Sequence, residues 1–371
     1  MNNVLDFEYT VIQLDRKQKR RNQNMSEETT PKILYLIDGY AQIFRAYYAI
    51  RTAMISPETS EPTNAVFGFT GMLFKLLNQF QPYYVAVAID VPGRTFRDDL
   101  YAQYLNLHPA NARIPDNFVT SPILPTGGEE TADMSVEGPK GRYVEYKGTR
   151  QSIPDDFHPQ VHRIFEVIES FGIPIVGRVG VEADDVIATI VQQILDDPKY
   201  ADVHIRIIAK DKDLEQLLCE RVSIFDVHTD TIRDVAELQA SKGITPEQVV
   251  DVMALSGDTV DNIPGVEGIG VKTAAALVRQ YGDIEGILAH IHEIKGKRRE
   301  NLEIARDFLP LSKAMVTLKR DAELPVSLDS LLRVARVAPI DLEKMLALFQ
   351  QLGFNRYQEA ARRMALAAGD A

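Results

Sequence analysis

Three acidic side chains lie within four positions in the stretch VEADDVIATI, at the start of an apolar segment with helical spacing: Glu182, Asp184 and Asp185. Carboxylates this close repel one another, and each pKa rises unless a positive charge lies among them. In a regular helix Glu182 and Asp185 share a face that Asp184 does not. We therefore expect Glu182 to lie in the turn before the helix, which Gly180 helps to form. The competing explanation is that acidic residues simply favour helix starts.

Further aspartates follow three short apolar runs. KILYLI ends at Asp38, and YYVAVAI ends at Asp90. HIRIIA is followed by Asp211, with Asp213 two residues later. Short β-rich runs separated by helical stretches predict a parallel sheet with crossover helices, whose strand ends meet at one edge. We expect these aspartates and VEADD to gather there, which makes the helix-start explanation much weaker.

A glycine-rich turn precedes a helix in the stretch SGDTVDNIPGVEGIGVKTAAALVRQYG. Gly265, Gly268 and Gly270 interrupt the chain just before VKTAAALVRQY, and Lys272 adds a positive charge. Such a turn presents backbone N–H groups to an anion and binds phosphate without reading bases. This predicts sequence-independent duplex binding. A nucleotide-binding loop is disfavoured because no strand precedes it and GxxxxGK[ST] is absent; a plain packing element stays open.

Composition is that of a globular protein with 371 residues, of which 45% are hydrophobic and 25% charged. Cys219 is the single cysteine, so we expect no internal disulfide and a cytoplasmic location. No apolar run is long enough to suggest a membrane span.

The net charge of -12 argues against a nucleic-acid partner, but residues 264–320 contain ten basic and seven acidic residues. A basic DNA-binding surface can therefore coexist with an acidic site.

Two segments lack the periodicity of folded elements. Residues 1–31 carry no secretory signal and are expected to be a disordered tail, so that either Met1 or Met25 is the natural start. Residues 106–142 are rich in Pro, Gly, Asn and Thr, which predicts a mobile insertion.

The order of motifs resembles a known family. LIDGY, AVAID, TFRDDL, YKGTR, VEADD, AKDKDLEQLL and LSGDTVDNIPGVEGIGVKTAAALV are similar to the 5′-nuclease, or flap endonuclease, family, which includes the N-terminal 5′→3′ exonuclease domain of bacterial DNA polymerase I. The likeness covers roughly residues 32–320. It implies an α/β fold with a PIN-like, mostly parallel central sheet flanked by helices, a helical arch and a C-terminal all-helical helix–hairpin–helix (H3TH) subdomain.

On this basis we expect four regions: a tail at 1–31, an α/β nuclease domain at 32–245, a helix–hairpin–helix DNA-binding subdomain at 246–320 and a C-terminal helical extension at 321–371. The arch would occupy about 94–157, and the sequence departs from the family there by an insertion of about 45 residues at 101–145. Between Asp98 and Glu145 there are eight acidic and three basic residues, so we expect this segment to repel DNA.

The resemblance also assigns the carboxylates to two divalent cations, Mg²⁺ or Mn²⁺. One cation would lie near Asp38, Asp90, Glu182 and Asp184, and a second near Asp211, Asp213 and Asp261, with Asp185 and Asp258 supporting the set. Oxygen ligands without cysteine or clustered histidine suit these hard cations.

Basic and backbone groups complete the site that the resemblance implies. Arg94, Arg97, Lys147 and Arg150 match positions at the base of the arch and within it that draw the scissile phosphate towards the metals. The duplex-gripping element, often with a bound K⁺, corresponds to Gly265, Val266, Gly268, Ile269, Gly270, Lys272 and Thr273.

The resulting expectation is a structure-specific 5′→3′ exonuclease or 5′-flap endonuclease that acts in replication and repair and leaves 5′-phosphate and 3′-hydroxyl ends. Its partners would be branched or 5′-ended duplex DNA, RNA–DNA primer junctions and a DNA polymerase. One alternative is a non-catalytic binder of branched DNA, which an acidic pocket facing phosphate disfavours. Another is an RNase that shares the acidic sheet, which the duplex-gripping element disfavours.

Overall fold

The computed structural model describes residues 32–100, 120–121, 143–144 and 154–368. The predicted tail and nearly all of the predicted insertion lie outside the described residues, as do Lys147 and Arg150. The chain divides into two compact units. The first takes its described residues from Met1–Gly93, Ile153–Asp234 and Lys319–Ala371, and the second from Arg94–Ser152 and Val235–Leu318.

The described strands are, in chain order, β1 Lys32–Asp38, β2 Tyr84–Ala88, β3 Thr120–Ser121, β4 Tyr143–Val144, β5 Ile175–Val176, β6 Val203–Ile208, β7 Val222–Asp226 and β8 Thr231–Arg233. Six of them form the sheet of the first unit, in the order β5-β2-β1-β6-β7-β8. Its strands run parallel except for β8, which pairs antiparallel with β7. The three predicted strands are confirmed as β1, β2 and β6, and the mostly parallel α/β sheet is confirmed with them.

The helices of the first unit include the four that the sequence periodicity predicts, at 41–50, 65–80, 159–171 and 184–195. They are Gly39–Ala49, Asn64–Lys75, Phe157–Ser170, Ala183–Asp196, Leu328–Ala335, Leu342–Gln351 and Asn355–Ala368. The helix predicted over 65–80 ends earlier, because the chain continues as a π-helical turn at Leu76–Phe80. We name Ala183–Asp196 the acidic helix. Every helix in the described part of the chain is too short or too polar to span a bilayer.

The core of the first unit lies between the sheet and its helices, and its last two helices contribute to it. Phe349 and Tyr357 are buried in the same cluster as Phe69 and Phe74. The Tyr357 hydroxyl donates to the carbonyl of Phe67 at 2.9 Å, and burial raises the pKa of Tyr357 to about 12. The C-terminal segment is thus part of the packed first unit.

In the described residues of the second unit, the only strands are the two-residue β3 and β4, which pair antiparallel, and the other regular elements are helical. Its helices are Val235–Lys242, Val249–Ser256, Val271–Tyr281, Ile284–Ala289, Lys297–Ala305 and Leu309–Val316. The Lys313 ammonium lies 2.8 Å from the buried Asp251 carboxylate, which joins two of these helices. The predicted C-terminal helical region is therefore confirmed.

Two glycines of the second unit pack backbone against backbone. Gly257 has a φ of +68°, and a Cβ placed there would lie 2.6 Å from the amide nitrogen of Gly265. A Cβ at Gly265 would in turn lie 2.4 Å from the amide nitrogen of Gly257. Neither contact can be relieved by a side-chain rotation. A Cβ at Gly270 would meet nothing within 4 Å.

These contacts predict different costs for two identical substitutions. Gly265→Ala should lower the free energy of unfolding by about 3 kcal/mol, since overpacking against backbone typically costs 1–3 kcal/mol or more. Gly270→Ala should cost less than about 1 kcal/mol, the usual range for a weak helix cap. Urea unfolding of both variants measures the difference. Equal losses would show that the backbone contact does not limit the fold.

A second prediction concerns the half-buried pair that joins the first helix to β7. Arg45 Nη1 lies 2.9 Å from Asp226 Oδ1, which also accepts the His228 N–H at 2.9 Å. Burial tends to raise the pKa of Asp226, but these donors outweigh it and lower the pKa to about 2. Asp226→Asn should therefore cost about 2 kcal/mol near pH 7, as is typical of hydrogen bonds to charged groups.

The pH dependence of that loss follows from the direction of the shift. A folded-state pKa below the ordinary carboxyl value contributes stability that is present above about pH 4 and is lost as the pH falls towards 2. The difference between wild type and Asp226→Asn should shrink over that window in urea titrations. Arg363→Gln, at a pair that is 70% exposed on both sides, is the control and should change stability by less than about 0.5 kcal/mol. A pH-independent difference would contradict the charge-based explanation.

Candidate metal centre

Carboxylates follow three adjacent strands at one edge of the sheet. Asp38 is the last residue of β1 and pairs in register with Ala88 of β2, so Asp90 follows two residues beyond. On the other side, β1 pairs with β6, after which come Asp211 and Asp213. The parallel register thus carries all three strand ends to the same edge, as the sequence predicts.

The acidic helix begins beside this group in the predicted way. Glu182 has an extended backbone and precedes the first helical residue, while Asp184 and Asp185 lie in the first turn. Gly180 has a φ of +80°, and the Val181 N–H donates to the Arg178 carbonyl at 3.1 Å to close the turn. The prediction that Glu182 lies ahead of the helix, in a turn that uses Gly180, is confirmed.

Backbone amides hold several of these carboxylates. Asp38 Oδ1 accepts the Ala41 N–H at 3.1 Å and so caps the first helix. Asp90 Oδ1 accepts the Ala183 N–H at 2.9 Å, which ties the end of β2 to the start of the acidic helix. Asp211 Oδ1 accepts the N–H of Asp213 at 2.9 Å. Each bond offsets part of a negative charge and fixes the direction of one oxygen.

Asp184 lies at the centre of the electrostatic cluster. Burial raises its pKa well above the usual value, and the negative charges of four neighbours raise it further: Asp38, Asp211, Asp90 and Asp213. Its Oδ1 is shielded from solvent and has no hydrogen-bond partner among the described residues. A buried carboxylate oxygen surrounded by like charges is the environment that a bound cation stabilises.

The donor set fits a hard divalent cation, although its oxygens do not converge in this arrangement. Within residues 32–100 and 154–368, no three His, Cys, Asp or Glu side chains are arranged to hold one ion. One oxygen of each of Asp38, Asp90 and Asp211 accepts a backbone N–H. Carboxylate oxygens are nevertheless the ligands that Mg²⁺ and Mn²⁺ prefer.

Asp185 serves the fold directly. Its side chain is fully buried, and Oδ1 accepts the Lys319 N–H at 2.8 Å. One helical turn later, the Thr189 hydroxyl accepts the Ala322 N–H at 3.1 Å and lies 3.3 Å from the Lys319 carbonyl. The acidic helix therefore holds the segment 319–322. Sequence reasoning missed Thr189; its signal was a polar residue four positions after Asp185 on an otherwise apolar face.

Asp258 and Asp261 belong to the second unit. Asp258 Oδ1 accepts the N–H groups of Val260 at 2.7 Å and of Asp261 at 3.3 Å, which closes a tight loop. The backbone of Asp258 also pairs with Ile263. These contacts give Asp258 a structural role in its own loop, and the metal role of both residues stays a prediction.

The two described arginines of the predicted arch have different environments. Arg94 is exposed and pairs with Asp99 at 2.8 Å. Arg97 is only 3% exposed; its guanidinium donates to the carbonyls of Met315 at 2.8 Å and Thr317 at 3.3 Å. In this position Arg97 fastens the end of the helix Leu309–Val316, a use of the side chain that the sequence did not indicate.

The glycine turn combines a buried anchor with an exposed surface. Val266 and Ile269 are buried, and their N–H groups donate to the carbonyls of Leu255 and Val266 at 2.8 and 3.0 Å. Gly268, with a φ of +74°, is exposed. The Val266 and Ile269 N–H groups therefore already have hydrogen-bond acceptors within the protein.

Past the turn, the helix Val271–Tyr281 starts at an exposed surface. Gly270 caps it, and the Gly270 carbonyl accepts the N–H groups of Thr273 and Ala274 at 2.9 Å. Helix geometry leaves the N–H groups of the first residues without intrahelical acceptors. Lys272 is exposed beside them. Anion binding at this helix start stays a prediction.

Two family models match the chain. The model described as 5′–3′ exonuclease, N-terminal resolvase-like domain, matches residues 33–118 and 137–251, more than half of the chain. The model described as 5′–3′ exonuclease, C-terminal SAM fold, matches residues 244–339.

Curated relatives agree with these models. A 5′–3′ exonuclease of Aquifex aeolicus is 29% identical over 321 residues, which cover 86% of this chain and 92% of the relative. DNA polymerase I of Bacillus caldotenax is 33% identical over 334 residues, which cover 88% of this chain. The chain spans about a third of the length of the DNA polymerase I relatives it matches.

Solved structures share the fold at low identity. A T5 5′-exonuclease structure with bound divalent metal ions (zinc) is 20% identical, with a TM-score of 0.53 over 90% of this chain and 99% of the other. Flap endonuclease-1 from Methanococcus jannaschii is 14% identical, with a TM-score of 0.51 over 92% and 95% of the two chains. With the acidic sheet edge, the glycine turn and the matched models together, the chain belongs to the 5′–3′ exonuclease family of hydrolytic nucleases.

Proposed function

We propose that the chain is a metal-dependent, structure-specific 5′→3′ exonuclease and 5′-flap endonuclease. It hydrolyses phosphodiesters of branched or 5′-ended duplex DNA to give 5′-phosphate and 3′-hydroxyl ends. The observation that carries the proposal is the solvent-shielded Asp184 oxygen, which lies among four carboxylates that raise the pKa of Asp184. Such a cluster suits a protein that binds cations opposite a phosphate.

Two divalent cations, Mg²⁺ or Mn²⁺, fit the donor set. By family resemblance, one would lie near Asp38, Asp90, Glu182 and Asp184 and the other near Asp211, Asp213 and Asp261, with Asp185 and Asp258 in supporting positions. Bound cations supply a water of lowered pKa and neutralise charge at the scissile phosphate. The divalent ions in the T5 5′-exonuclease structure support this assignment.

The chain's own groups bind and orient the substrate. The helix start at Gly270 and Lys272 receives backbone phosphates of the duplex, which explains binding without base readout. A K⁺ at the glycine turn would use backbone carbonyls there. By family resemblance, Arg94, Lys147 and Arg150 would direct the scissile phosphate to the carboxylates, whereas Arg97 fastens the end of the helix Leu309–Val316.

The biological setting follows from the relatives. DNA polymerase I relatives match this chain over a third of their length, which supports work beside a DNA polymerase in replication and repair. RNA–DNA primer junctions are then natural substrates alongside 5′ flaps. We propose a cytoplasmic location, in keeping with the single cysteine, Cys219.

Replacement of Asp184 tests the metal assignment. Asp184→Asn should lower Mg²⁺-dependent cleavage of a 5′-flap duplex by more than about a hundredfold, because loss of even outer partners of a metal costs 10–100-fold. Asp196→Asn makes the same chemical change at the exposed far end of the acidic helix and should leave the rate unchanged. Product sizing on denaturing gels gives both rates.

The same assay separates the alternative functions. Flap binding without product in the wild-type protein would favour a non-catalytic DNA-binding protein. Faster cleavage of a matched all-RNA substrate than of the DNA flap would favour an RNase. Wild-type cleavage by Asp184→Asn would refute the metal assignment itself.

Replacement of Lys272 tests the duplex-binding surface. Lys272→Gln should weaken flap binding equally for unrelated sequences and reduce the slope of log affinity against log salt by about 0.9, the value for one lost phosphate contact. The rate at saturating DNA should stay unchanged. Lys344→Gln, at a half-exposed pair with Glu169 in the first unit, is the control. An unchanged salt slope would remove Lys272 from the interface.

A further inference from the structure

A buried ion pair starts from the same 3-10 turn as Asp213, one of the carboxylates of the proposed centre. The Glu215 side chain is 1% exposed, and its Oε1 lies 2.5 Å from Nη1 of Arg233, whose side chain is 45% exposed. Glu215 belongs to a single 3-10 turn, Asp213–Leu217, and Arg233 is the last residue of the edge strand β8. No step of the proposed reaction uses either residue.

If the Glu215–Arg233 pair served only stability, the burial of Glu215 would be an unfavourable way to achieve it. Burial of a carboxylate carries a desolvation penalty that an ion pair only partly returns, and an apolar pair of similar volume often gives equal or greater stability. Glu215 also adds a negative charge two residues after Asp213, in a region where carboxylates already raise the pKa of Asp184. This placement points to a role beyond packing.

The turn that contains Glu215 also carries two of the proposed cation ligands. Asp213 is its first residue, and the Asp213 N–H donates to Asp211 Oδ1 at 2.9 Å. The Glu215 N–H donates to the Lys212 carbonyl at 3.1 Å. This bond links Glu215 to the backbone between Asp211 and Asp213. A displacement of Glu215 therefore moves the backbone that presents Asp211 and Asp213.

Arg233 connects this turn to the sheet. It pairs in register with Ile224 of β7, the strand next to β6, and β6 leads into the turn. The Arg233 guanidinium on β8 therefore holds the turn Asp213–Leu217 through Glu215. This contact is separate from the covalent link between β6 and the turn.

We propose that Arg233 and Glu215 are a positioning pair that fixes residues 211–217, so that Asp211 and Asp213 are held ready for a divalent cation. The inference rests on the proposed function and adds positioning residues to it. A through-space charge effect would give a different result for a variant of either residue. Loss of a positive charge near the centre would tighten cation binding, and loss of a negative charge would weaken it.

The test is a Mn²⁺ titration by calorimetry of the full chain and its variants. Arg233→Met removes the ion pair with Glu215 and should weaken Mn²⁺ binding about tenfold. This is the lower end of the losses seen when residues that hold metal ligands are replaced. Glu215→Gln keeps an oxygen acceptor for Arg233 and should bind Mn²⁺ within about twofold of wild type. Arg233→Lys, which restores the charge, should recover most of the loss.

Arg163→Met is the matched control. It removes the same charge from another half-buried pair of the first unit, in which Arg163 Nε lies 2.9 Å from Glu61 Oε2. Thermal unfolding should show a lower Tm for Arg163→Met as well as for Arg233→Met, but only the latter should lose Mn²⁺ affinity. In cleavage assays, the half-maximal Mg²⁺ concentration should rise for Arg233→Met while KM for DNA stays constant.

The outcomes are distinct. Equal or tighter Mn²⁺ binding by Arg233→Met, or an equal loss in Glu215→Gln, overturns the positioning role while leaving the proposed function intact. Loss of Mn²⁺ affinity in Arg163→Met to the same degree also overturns it, because general destabilisation then accounts for the effect. A wild-type protein that binds no Mn²⁺ overturns the proposed function together with this inference.

Discussion

Repulsion among the carboxylates around Asp184 is the constraint on which the first unit depends. Four negative neighbours and burial raise the pKa of Asp184, so the fold must stabilise this edge of the sheet by other means. Backbone N–H groups provide part of that stabilisation, at Asp38, Asp90 and Asp211.

Close packing behind the carboxylates makes the arrangement possible. A Cβ at Gly39 would lie 2.9 Å from the Ala88 carbonyl, so only glycine lets the chain turn from Asp38 into a helix against β2. The acidic helix is fixed at its start by Asp90 and along its length by the segment 319–322. The elements that present the carboxylates are thus held from two sides, and their side chains are positioned by rigid backbone.

Local patterns predicted the parts of the structure that local chemistry determines. Apolar runs gave β1, β2 and β6 with their terminal aspartates, and the geometry of a helix start placed Glu182 in the preceding turn. Contacts between distant residues escaped prediction because no periodicity encodes them. Asp185 meets Lys319 across 134 positions, and Arg97 meets Met315 across 218.

Short or exposed elements were also beyond the reach of sequence patterns. β5 has two residues and β8 has three exposed ones, so neither shows the alternation that identifies a strand. As a result the Arg233–Glu215 pair could not be anticipated, although both residues are visible in the sequence. The resemblance supplied the metal and arch assignments, which the periodicity alone does not contain.

Aromatic side chains from the last two helices complete the core of the first unit. Phe74 stacks on Tyr357 at a ring separation of 5.3 Å, and Phe67 packs edge-on against Phe354 at 5.3 Å. A fragment that stopped after the last acidic motif would retain every carboxylate yet leave these rings bare. Such a surface drives self-association in water. The packed first unit therefore extends well beyond its last acidic motif, and the burial of these aromatic side chains sets its boundary.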